Sequence, residues 1–420
     1  MSFIDSALIQ KYNVKGPRYT SYPTALHFTD DFNKQALLGD IFDYHKKPRK
    51  ISLYIHIPFC QSLCWYCGCT KIISKDKSSA KTYLTYLEKE LKMRAALLHP
   101  DHEVVQIHLG GGTPSFLPAE DMEELNRIIR RYTNISDEVE AGIEIDPREV
   151  SRHQIETMAR VGFNRASVGI QDMNEEVQKA IHRIQPYEQS QQVITWLREA
   201  GINSINGDLI YGLPKQTPEL FANTLEKTLD FSLDRYAIYS YAHVPWMKPS
   251  QKLIREEDLP KSNQKLQMLQ DAIEFLNRHE YEYIGMDHFS KKDDDLAKAL
   301  RNGTLQRNFQ GYSTHAGVDI IGIGMSSISS IGPWYLQNSK DINKYYEMLD
   351  QQELPLVKAR ALSRDDQIRR EVIMRIMCSA GLDVDEVSRK WNINARSYFS
   401  NEWNSLGEFE EDGLVNCSPN

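Results

Sequence analysis

The sequence predicts an α/β protein built as a partial (βα)6, TIM-like barrel, with an N-terminal arm and a small, mostly helical C-terminal domain. Two observations predict this fold. From about Ile51, short apolar runs rich in β-branched residues alternate with longer helix-like stretches, as in repeated βα units around a parallel sheet. Six such units occur, fewer than the eight of a closed barrel, so we expect the barrel to be partly open.

The candidate elements follow in order along the chain. The candidate strands are 51–57, 104–109, 141–145, 165–170, 205–211 and 236–241. Between the first two strands, Leu84, Leu87, Leu91 and Leu98 recur on one face of a predicted helix, which Pro100 ends. A second amphipathic helix is predicted at 264–277.

The chain divides into three predicted regions. Residues 1–45 are aromatic and proline-rich with little periodicity, so we expect an arm that covers the active site. Residues 46–350 form the barrel, in which the apolar run at 319–332 either extends the sheet or closes the barrel mouth. Residues 351–420 are charged and are predicted to be helical. One large domain with appendages suits 420 residues, because α/β barrels fold that much sequence around one sheet.

Composition and charge exclude several classes of protein. Hydrophobic residues make up 41% and charged residues 26%, which is typical of a globular protein and not of a disordered or fibrous one. No apolar run approaches the roughly 20 residues of a membrane-spanning helix, and the N-terminus lacks a signal-peptide pattern. With a net charge of −8, the chain has no general attraction to nucleic acid or anionic membranes. We therefore expect a cytoplasmic protein without nucleic-acid or membrane partners.

Four of the six cysteines lie within ten residues, a spacing that indicates metal binding in a cytosolic protein. Cys60, Cys64 and Cys67 follow the first candidate strand, at the end of an α/β barrel where active sites form. Three thiolates in one loop can hold three irons of a 4Fe-4S cluster and leave the fourth iron open to a ligand. The alternative is a zinc site with Cys69 as fourth ligand, although a Cys-x-Cys pair strains a single tetrahedral site.

Glycines and polar residues follow the other candidate strands. The glycines of LGGGTP (109–114) let backbone approach a ligand and offer bare N–H donors, or they form only a tight turn. Glu144, Gln171 and Asp208 lie at or near the ends of three further strands. Any one of them taken alone could cap a helix, or, if a carboxylate, pair with Arg148. Together they indicate a polar site at one mouth of the barrel.

Several segments resemble one known family. They are HIPFCQSLCWYCGC (56–69), LGGGTPSF (109–116), EIDPREV (144–150), VGIQDMN (168–174), DLIYGLPKQT (208–217) and RNFQGY (307–312). In these segments the chain resembles the oxygen-independent coproporphyrinogen III oxidases of the radical S-adenosylmethionine superfamily. The stretch KYNVKGPRYTSYPTALHF (11–28) resembles the N-terminal arm of that family. The likeness covers nearly the whole chain.

The resemblance implies an activity: oxidative decarboxylation of two propionate side chains of coproporphyrinogen III to vinyl groups, which gives protoporphyrinogen IX in haem biosynthesis without oxygen. It implies one 4Fe-4S cluster and two molecules of S-adenosylmethionine. In the family, the open iron binds the amino and carboxylate groups of one S-adenosylmethionine. An electron from the reduced cluster then breaks a carbon-sulfur bond of this molecule and releases a 5′-deoxyadenosyl radical. The radical takes a hydrogen atom from the propionate β-carbon. We also expect a reduced flavodoxin- or ferredoxin-type electron donor and a monomer.

The resemblance also assigns site residues. It implies that the cluster ligands are Cys60, Cys64 and Cys67. The residues implied to bind the first S-adenosylmethionine are Tyr54, Gly111, Glu144, Ala242 and Ile328, of which Tyr54 and Glu144 are implied to be catalytic. The residues implied to bind the second are Tyr66, Gly112, Thr113, Gln171, Arg183 and Asp208. Cys69 matches a cysteine outside the cluster, with a supporting role.

Three points stay open at the level of sequence. A haem-binding carrier of the same superfamily is the alternative function, although such paralogues generally lack the GPRYTSYPT arm and the fourth cysteine. Arg18 and Arg307 either clamp a substrate carboxylate by paired hydrogen bonds or form surface ion pairs. The family's C-terminal domain continues beyond the match to EEDGLVNC, so we expect a shortened C-terminal domain and lower solubility than in a full-length relative.

Overall fold

The computed structural model of the protein describes residues 8, 11–12, 21–379 and 381–417. The strands are β1 Lys50–Ile57, β2 Phe59–Cys60, β3 Ile72–Ile73, β4 Glu103–Gly111, β5 Asn134–Ile145, β6 Arg165–Gln171, β7 Ser204–Tyr211, β8 Arg235–Ser240, β9 Tyr281–Gly285, β10 His288–Lys291, β11 Gln306–Asn308, β12 Gly311–Ser313, β13 Asp319–Ile323, β14 Ile328–Ile331, β15 Trp334–Asn338 and β16 Leu356–Ala361. The helices are α1 Lys34–Tyr44, α2 Ser78–Ala95, α3 Ala119–Tyr132, α4 Arg152–Arg160, α5 Glu175–Ala180, α6 Tyr187–Glu199, α7 Pro218–Leu229, α8 Ser262–Arg278, α9 Asp295–Arg301, α10 Ile342–Asp350, α11 Arg364–Ser379, α12 Val384–Trp391, α13 Ala395–Tyr398, α14 Ser400–Asn404 and α15 Gly407–Glu411.

Twelve strands form one open sheet, in the order β16-β15-β14-β13-β1-β4-β5-β6-β7-β8-β10-β9. The six candidate strands are confirmed as β1 and β4 to β8, and they form its parallel centre. On its other side β1 pairs with β13, with Tyr54 opposite Gly322, instead of closing onto β8. The fold is therefore a partial (βα)6 barrel, and the carboxyl ends of its parallel strands share one mouth.

The helices between the parallel strands cover the sheet because each has one apolar face. In α3, Met122, Leu125 and Ile129 are buried on one face, while Glu120 and Arg130 are exposed. These buried side chains join those of the strands in one large hydrophobic core. Among the described helices, none combines the length and the apolar character needed to cross a membrane.

The apolar run at 319–332 extends the sheet, because β13 lies beside β1 and β14 to β16 follow antiparallel. The prediction that residues 351–420 are helical is wrong at their start, where 356–361 form β16. This strand lies at the edge of the sheet and buries Leu356 and Ala359, while Lys358 is exposed. Edge strands tolerate such charges, so the charged sequence did not reveal the strand. The division into three regions stays a prediction.

The described part of the N-terminal arm is more regular than the sequence predicts. Helix α1 buries Leu37 and Ile41 against the main core, and the Asn33 side chain accepts a hydrogen bond from the N–H of Ala36 (3.0 Å) at its start. Only these two residues of the helix are buried, and Gly39 lowers helix propensity in its middle. The helical pattern is therefore weak in the sequence.

The N-terminal arm contacts the C-terminal region in the described residues. The ring of Tyr12 stacks on that of Phe409 with centroids 4.9 Å apart, and the ammonium group of Lys11 lies 2.9 Å from a carboxylate oxygen of Glu408. Residues 13–20, which include Arg18, lie outside the described residues. Coverage of the active site by the arm therefore stays a prediction.

Two buried histidines form a hydrogen-bonded pair near the amino end of the sheet. His102 Nδ1 accepts the N–H of Arg49 (3.0 Å), so its Nε2 carries the proton and donates it to His45 Nδ1 (2.8 Å). Burial lowers the pKa of each ring to about 4, and neighbouring positive charges, including that of Arg49, act in the same direction. Both rings are therefore neutral in the folded protein near pH 7.

We expect this pair to make the fold acid-sensitive. In the unfolded chain each histidine binds a proton near pH 6.5, whereas in the folded chain it does so only near pH 4, so stability is lost as the pH falls between these values. The loss is at most about 1.4 kcal/mol per pH unit for each ring. Thermal unfolding followed from pH 7 to pH 4.5 measures it. A variant with Gln at both positions should lose stability less steeply, and equal slopes would contradict the assignment.

Candidate active site

The cysteine loop lies where the sequence predicts it, at the carboxyl end of β1. Cys60 ends the short strand β2, and the N–H of Cys67 donates to the carbonyl of Cys64 (3.2 Å) in the turn that follows. Cys60 and Cys64 are buried, and Cys67 is half-buried. The N–H of Trp65 anchors the turn to the carbonyl of Ile181 (3.0 Å).

Hydrogen-bond donors surround two of the three sulfur atoms. The Thr113 hydroxyl donates to Cys60 Sγ (3.2 Å), and the guanidinium groups of Arg148 and Arg183 lie 3.5 and 3.6 Å from Cys64 Sγ. At Cys60 burial outweighs the hydrogen bond from Thr113 and raises the pKa of the thiol to about 12, so metal binding there must displace the proton. The sequence predicted Arg148 only as a partner for a carboxylate.

Asp146 holds both arginines in place. It accepts from Arg148 (2.7 Å) and Arg183 (2.9 Å), and although burial opposes ionisation, the two guanidinium groups lower the pKa of this carboxyl to about 2. The remaining N–H groups of Arg183 donate to Cys64 Sγ, the Gly169 carbonyl and the Gln185 side chain. All five N–H groups of Arg183 thus have acceptors within the protein.

The donor set of the loop suits an iron-sulfur cluster. A hydrogen bond from Cys69 lowers the pKa of the Cys67 thiol to about 5, and the nearby charge of Lys71 acts in the same direction. Within the described residues, no three His, Cys, Asp or Glu side chains surround one point as the ligands of a single metal ion do. In a cluster each thiolate binds a different iron, so Cys60, Cys64 and Cys67 fit it by number, type and burial.

Three consecutive glycines let backbone and side chains meet at the barrel mouth. A Cβ at Gly110 would lie 2.7 Å from Glu144 Oε1, and one at Gly112 would lie 2.5 Å from the carbonyl oxygen of Pro58. Gly111 has φ +118°, and a Cβ there would lie 2.5 Å from the His56 ring. The glycines therefore do more than make a turn, since they bring the segment against Glu144 and the cysteine loop.

We expect Gly111→Ala to lower the free energy of unfolding by about 2 kcal/mol or more, because it adds both backbone strain and a clash with a buried ring. Urea unfolding measures this change. Gly39→Ala is the matched control, because its new methyl group meets nothing within 4 Å and it lies inside a helix, where Ala should stabilise by about 0.5–1 kcal/mol. Equal effects of the two substitutions would contradict the assigned role of Gly111.

Glu144 lies beside Gly111 and Tyr54 at the mouth. Its Oε2 accepts the N–H of Gly111 (3.1 Å) and its Oε1 lies 3.3 Å from His108 Nε2. Burial opposes its ionisation, but these two hydrogen bonds prevail and lower the pKa of Glu144. The Tyr54 ring stacks on that of His108 at 6.0 Å. The site thus presents an ionised carboxylate, which could hold a ligand ammonium group, next to an aromatic face.

Ala242 and Ile328 lie on either side of the group formed by Tyr54, Gly111 and Glu144. The Gln251 amide donates to the carbonyls of both Ala242 (3.2 Å) and Tyr66 (2.9 Å), which ties the chain after β8 to the cysteine loop. On the other side, a Cβ at Gly322, the residue opposite Tyr54, would lie 2.6 Å from the Ile328 carbonyl. Both predicted residues therefore lie on elements that border the mouth.

The remaining predicted residues form two groups, one around Asp208 and Gly169 and one beside the cysteines. Burial raises the pKa of Asp208 to about 7, and the charge of Glu144 adds to this rise, although Ser167 donates a hydrogen bond to the carboxylate (2.7 Å). A Cβ at Gly169 would lie 2.8 Å from Gln171 Nε2 and 3.1 Å from Arg183. Gly112 and Thr113 donate their N–H groups to the carbonyls of Ile57 and Phe59 (both 2.8 Å), beside the cysteines.

A cavity opens inside the barrel next to this group. Glu144, Asp208 and Tyr239 line it from three of the parallel strands, and Gln310 and Tyr312 line it from the β11–β12 hairpin. The charged site at the mouth thus continues into the inside of the barrel.

Two family models match the chain: Radical SAM superfamily at residues 54–228 and HemN C-terminal domain at 362–419. The oxygen-independent coproporphyrinogen III oxidase of Escherichia coli strain K12 is 45% identical over 411 residues, which cover 98% of this chain and 89% of that protein. The oxidase of Pseudomonas aeruginosa is 43% identical over 98% of this chain and 90% of its own. The solved structure of coproporphyrinogen III oxidase (HemN) from E. coli, called a radical SAM enzyme, superposes with a TM-score of 0.94 at 43% identity and covers 99% of this chain and 93% of that one.

The chain belongs to the oxygen-independent coproporphyrinogen III oxidase family. This confirms the resemblance and the fold that the sequence motifs predict. The full-length oxidase relatives also favour an enzyme over the haem-binding carrier. As a member of this family the protein is a radical S-adenosylmethionine enzyme, for which a 4Fe-4S cluster and S-adenosylmethionine are implied.

The sequence did not predict some side chains of this oxidase family member that contact its site residues. His108 is one, since it contacts both Tyr54 and Glu144. A signal for it exists, because side chains alternate along β4 and His108 shares a sheet face with Gln106 and Gly110. Arg148 is another, but its contact with Cys64 joins positions 84 residues apart and has no local signal.

Proposed function

We propose that this chain removes two propionate carboxylates of coproporphyrinogen III oxidatively and without oxygen, to give protoporphyrinogen IX for haem biosynthesis. In each half-reaction a propionate loses a hydrogen atom from its β-carbon, carbon dioxide and one electron, and a vinyl group remains. The observation that supports this most is that Glu144 accepts the N–H of Gly111 and contacts His108, on which Tyr54 stacks, at the mouth that also holds the three-cysteine loop. The oxidase relatives along the whole chain supply the substrate class.

The cysteine trio and the residues around it have separate roles in this proposal. Cys60, Cys64 and Cys67 hold the cluster, which with S-adenosylmethionine supplies the radical that takes the hydrogen atom. Glu144, kept ionised by His108 and Gly111, holds the ammonium group of the first S-adenosylmethionine. The residues proposed to complete this first site are Tyr54, Ala242 and Ile328.

A second S-adenosylmethionine is proposed beside the first, bordered by Tyr66, Gly112, Thr113, Gln171, Arg183 and Asp208. In the structure Arg183 donates all five of its N–H groups to protein atoms, so we propose that it shapes this site and supplies positive charge, while Gln171 and Asp208 supply polar contacts. The barrel and the N-terminal arm exclude water from the reacting carbon, as radical chemistry requires.

The proposal also covers the electron donor, the oligomeric state and the cellular location of the enzyme. A reduced flavodoxin- or ferredoxin-type protein supplies electrons, and the enzyme is a cytoplasmic monomer without nucleic-acid or membrane partners. The net charge of −8 supports the absence of nucleic acid. Size-exclusion chromatography with light scattering tests the monomer.

One experiment tests the proposed function. The protein is purified without oxygen, reconstituted with iron and sulfide, reduced, and supplied with S-adenosylmethionine, with and without coproporphyrinogen III. We expect protoporphyrinogen IX only when both compounds are present. Tight haem binding without turnover would favour the carrier, and a colourless protein that contains zinc would favour the zinc site. Either result would overturn the proposal.

A further inference from the structure

The β11–β12 hairpin holds an arginine behind residues that line the barrel cavity. Arg307 lies directly opposite Tyr312 in the hairpin, so the two side chains share one face, and the guanidinium carbon lies 4.6 Å from the centre of the Tyr312 ring. Tyr312 lines the cavity, as do Asn308 and Gln310 on either side of the turn. Arg307 thus stacks on a ring that lines the cavity, next to the cavity wall.

Two nitrogen atoms of the buried Arg307 side chain lack a hydrogen-bond acceptor among the described residues. Arg307 is 9% exposed, and the two atoms are Nε and Nη1. It therefore forms no surface ion pair, which was one of the two alternatives at the level of sequence. A buried guanidinium stays charged, and its planar N–H groups require acceptors, best supplied by a carboxylate that binds two of them at once.

A second unpaired donor lies close by in the same hairpin. The side-chain Nε2 of Gln310 is buried without an acceptor, and Gln310 lines the cavity together with Tyr239. Removal from water raises the pKa of the Tyr239 hydroxyl well above its usual value, and the charge of Arg307 is close enough to act against this rise. Gln310 on the cavity wall and Arg307 next to it thus carry buried donors that no described residue satisfies.

We propose that Arg307 and Gln310 bind a propionate carboxylate of the substrate and so orient the tetrapyrrole in the cavity. This rests on the proposed function, because the substrate class comes from there. The substrate carries four propionates, of which two are kept, so a fixed carboxylate anchor can decide which ring faces the mouth. The role is substrate binding, and no chemical step is assigned to either residue.

The test compares Arg307→Gln with Arg301→Gln in the full-length, reconstituted protein. Arg301 is the control because it lies in α9, before the hairpin, and forms an exposed ion pair with Glu282. We expect Arg307→Gln to raise KM for coproporphyrinogen III about 10- to 100-fold, as the loss of a charged hydrogen-bond pair does, with KM for S-adenosylmethionine unchanged. Arg307→Lys should restore part of the loss, because it keeps the charge without the paired geometry.

An equilibrium measurement separates this contact from a structural role. Binding of coproporphyrin III and of its tetramethyl ester is followed by fluorescence with the parent protein and with Arg307→Gln. We expect the parent to prefer the free acid, and the variant to lose most of that preference. Equal weakening of acid and ester, or a raised KM for S-adenosylmethionine alone, would overturn the proposal. If the parent itself neither binds nor converts the tetrapyrrole, the proposed function fails instead.

Discussion

Replacing Cys64 with Ser is expected to reduce product formation to background and to leave the protein without its cluster. Cys64 is buried, and its sulfur atom is the one in the trio that Arg148 and Arg183 approach. A serine hydroxyl does not ionise near neutral pH, so it cannot replace the thiolate as an iron ligand. Its loss would also leave two buried guanidinium groups without the sulfur anion they face. Iron content, visible absorbance and product formation after reconstitution measure the effect.

Two control variants separate the trio from the other cysteines. Cys417 lies near the described C-terminal end, far in sequence from the cysteine loop. The Cys417→Ser variant should therefore match the parent protein in iron content and product formation. Cys69→Ser should keep its iron, because we assign Cys69 a supporting role beside Cys67. Normal iron content and turnover in Cys64→Ser would contradict the assignment of the trio, and a cluster lost only in Cys69→Ser would point to a different ligand set.

Glu144→Gln is expected to raise KM for S-adenosylmethionine about 10- to 100-fold, which corresponds to about 1.5–3 kcal/mol for the loss of a hydrogen bond to a charged group. The change keeps size and shape but removes the negative charge that His108 and Gly111 maintain. Steady-state kinetics with varied S-adenosylmethionine and equilibrium dialysis of the same ligand measure it.

Glu138→Gln is the matched control for this prediction. Glu138 lies on the same strand, β5, but is exposed, so the substitution removes the same charge away from the mouth. We expect parental kinetics from it. An unchanged KM in Glu144→Gln, or an equal rise in both variants, would show that the carboxylate at the mouth does not hold the cofactor.

Most of the sheet could be predicted from the sequence because its parallel strands are rich in β-branched residues and bury at least one face. The exception within the centre is β5, predicted at 141–145 and found at 134–145. Its first half is polar and partly exposed, and its pairing with β4 is irregular between Val104 and Gln106, so no apolar run marks it. Strand β16 was missed for a related reason, since an edge strand carries charges.

The candidate site could be predicted in part. Cysteine spacing and the positions of Gly111 and Glu144 after strands are local signals, and the structure places these residues together at one mouth. The hydrogen bonds to the sulfur atoms depend instead on contacts between distant segments, as between Cys64 and Arg183. The unpaired donors of Arg307 are likewise a property of packing, which no spacing reveals.

The most direct test of the central claim is electron paramagnetic resonance of the reduced, reconstituted protein, recorded before and after addition of S-adenosylmethionine alone. The account predicts about four irons per chain and a signal that changes when the compound binds, because three cysteines leave one iron open to it. A signal that S-adenosylmethionine leaves unchanged, or a protein that binds zinc instead of iron, would contradict it.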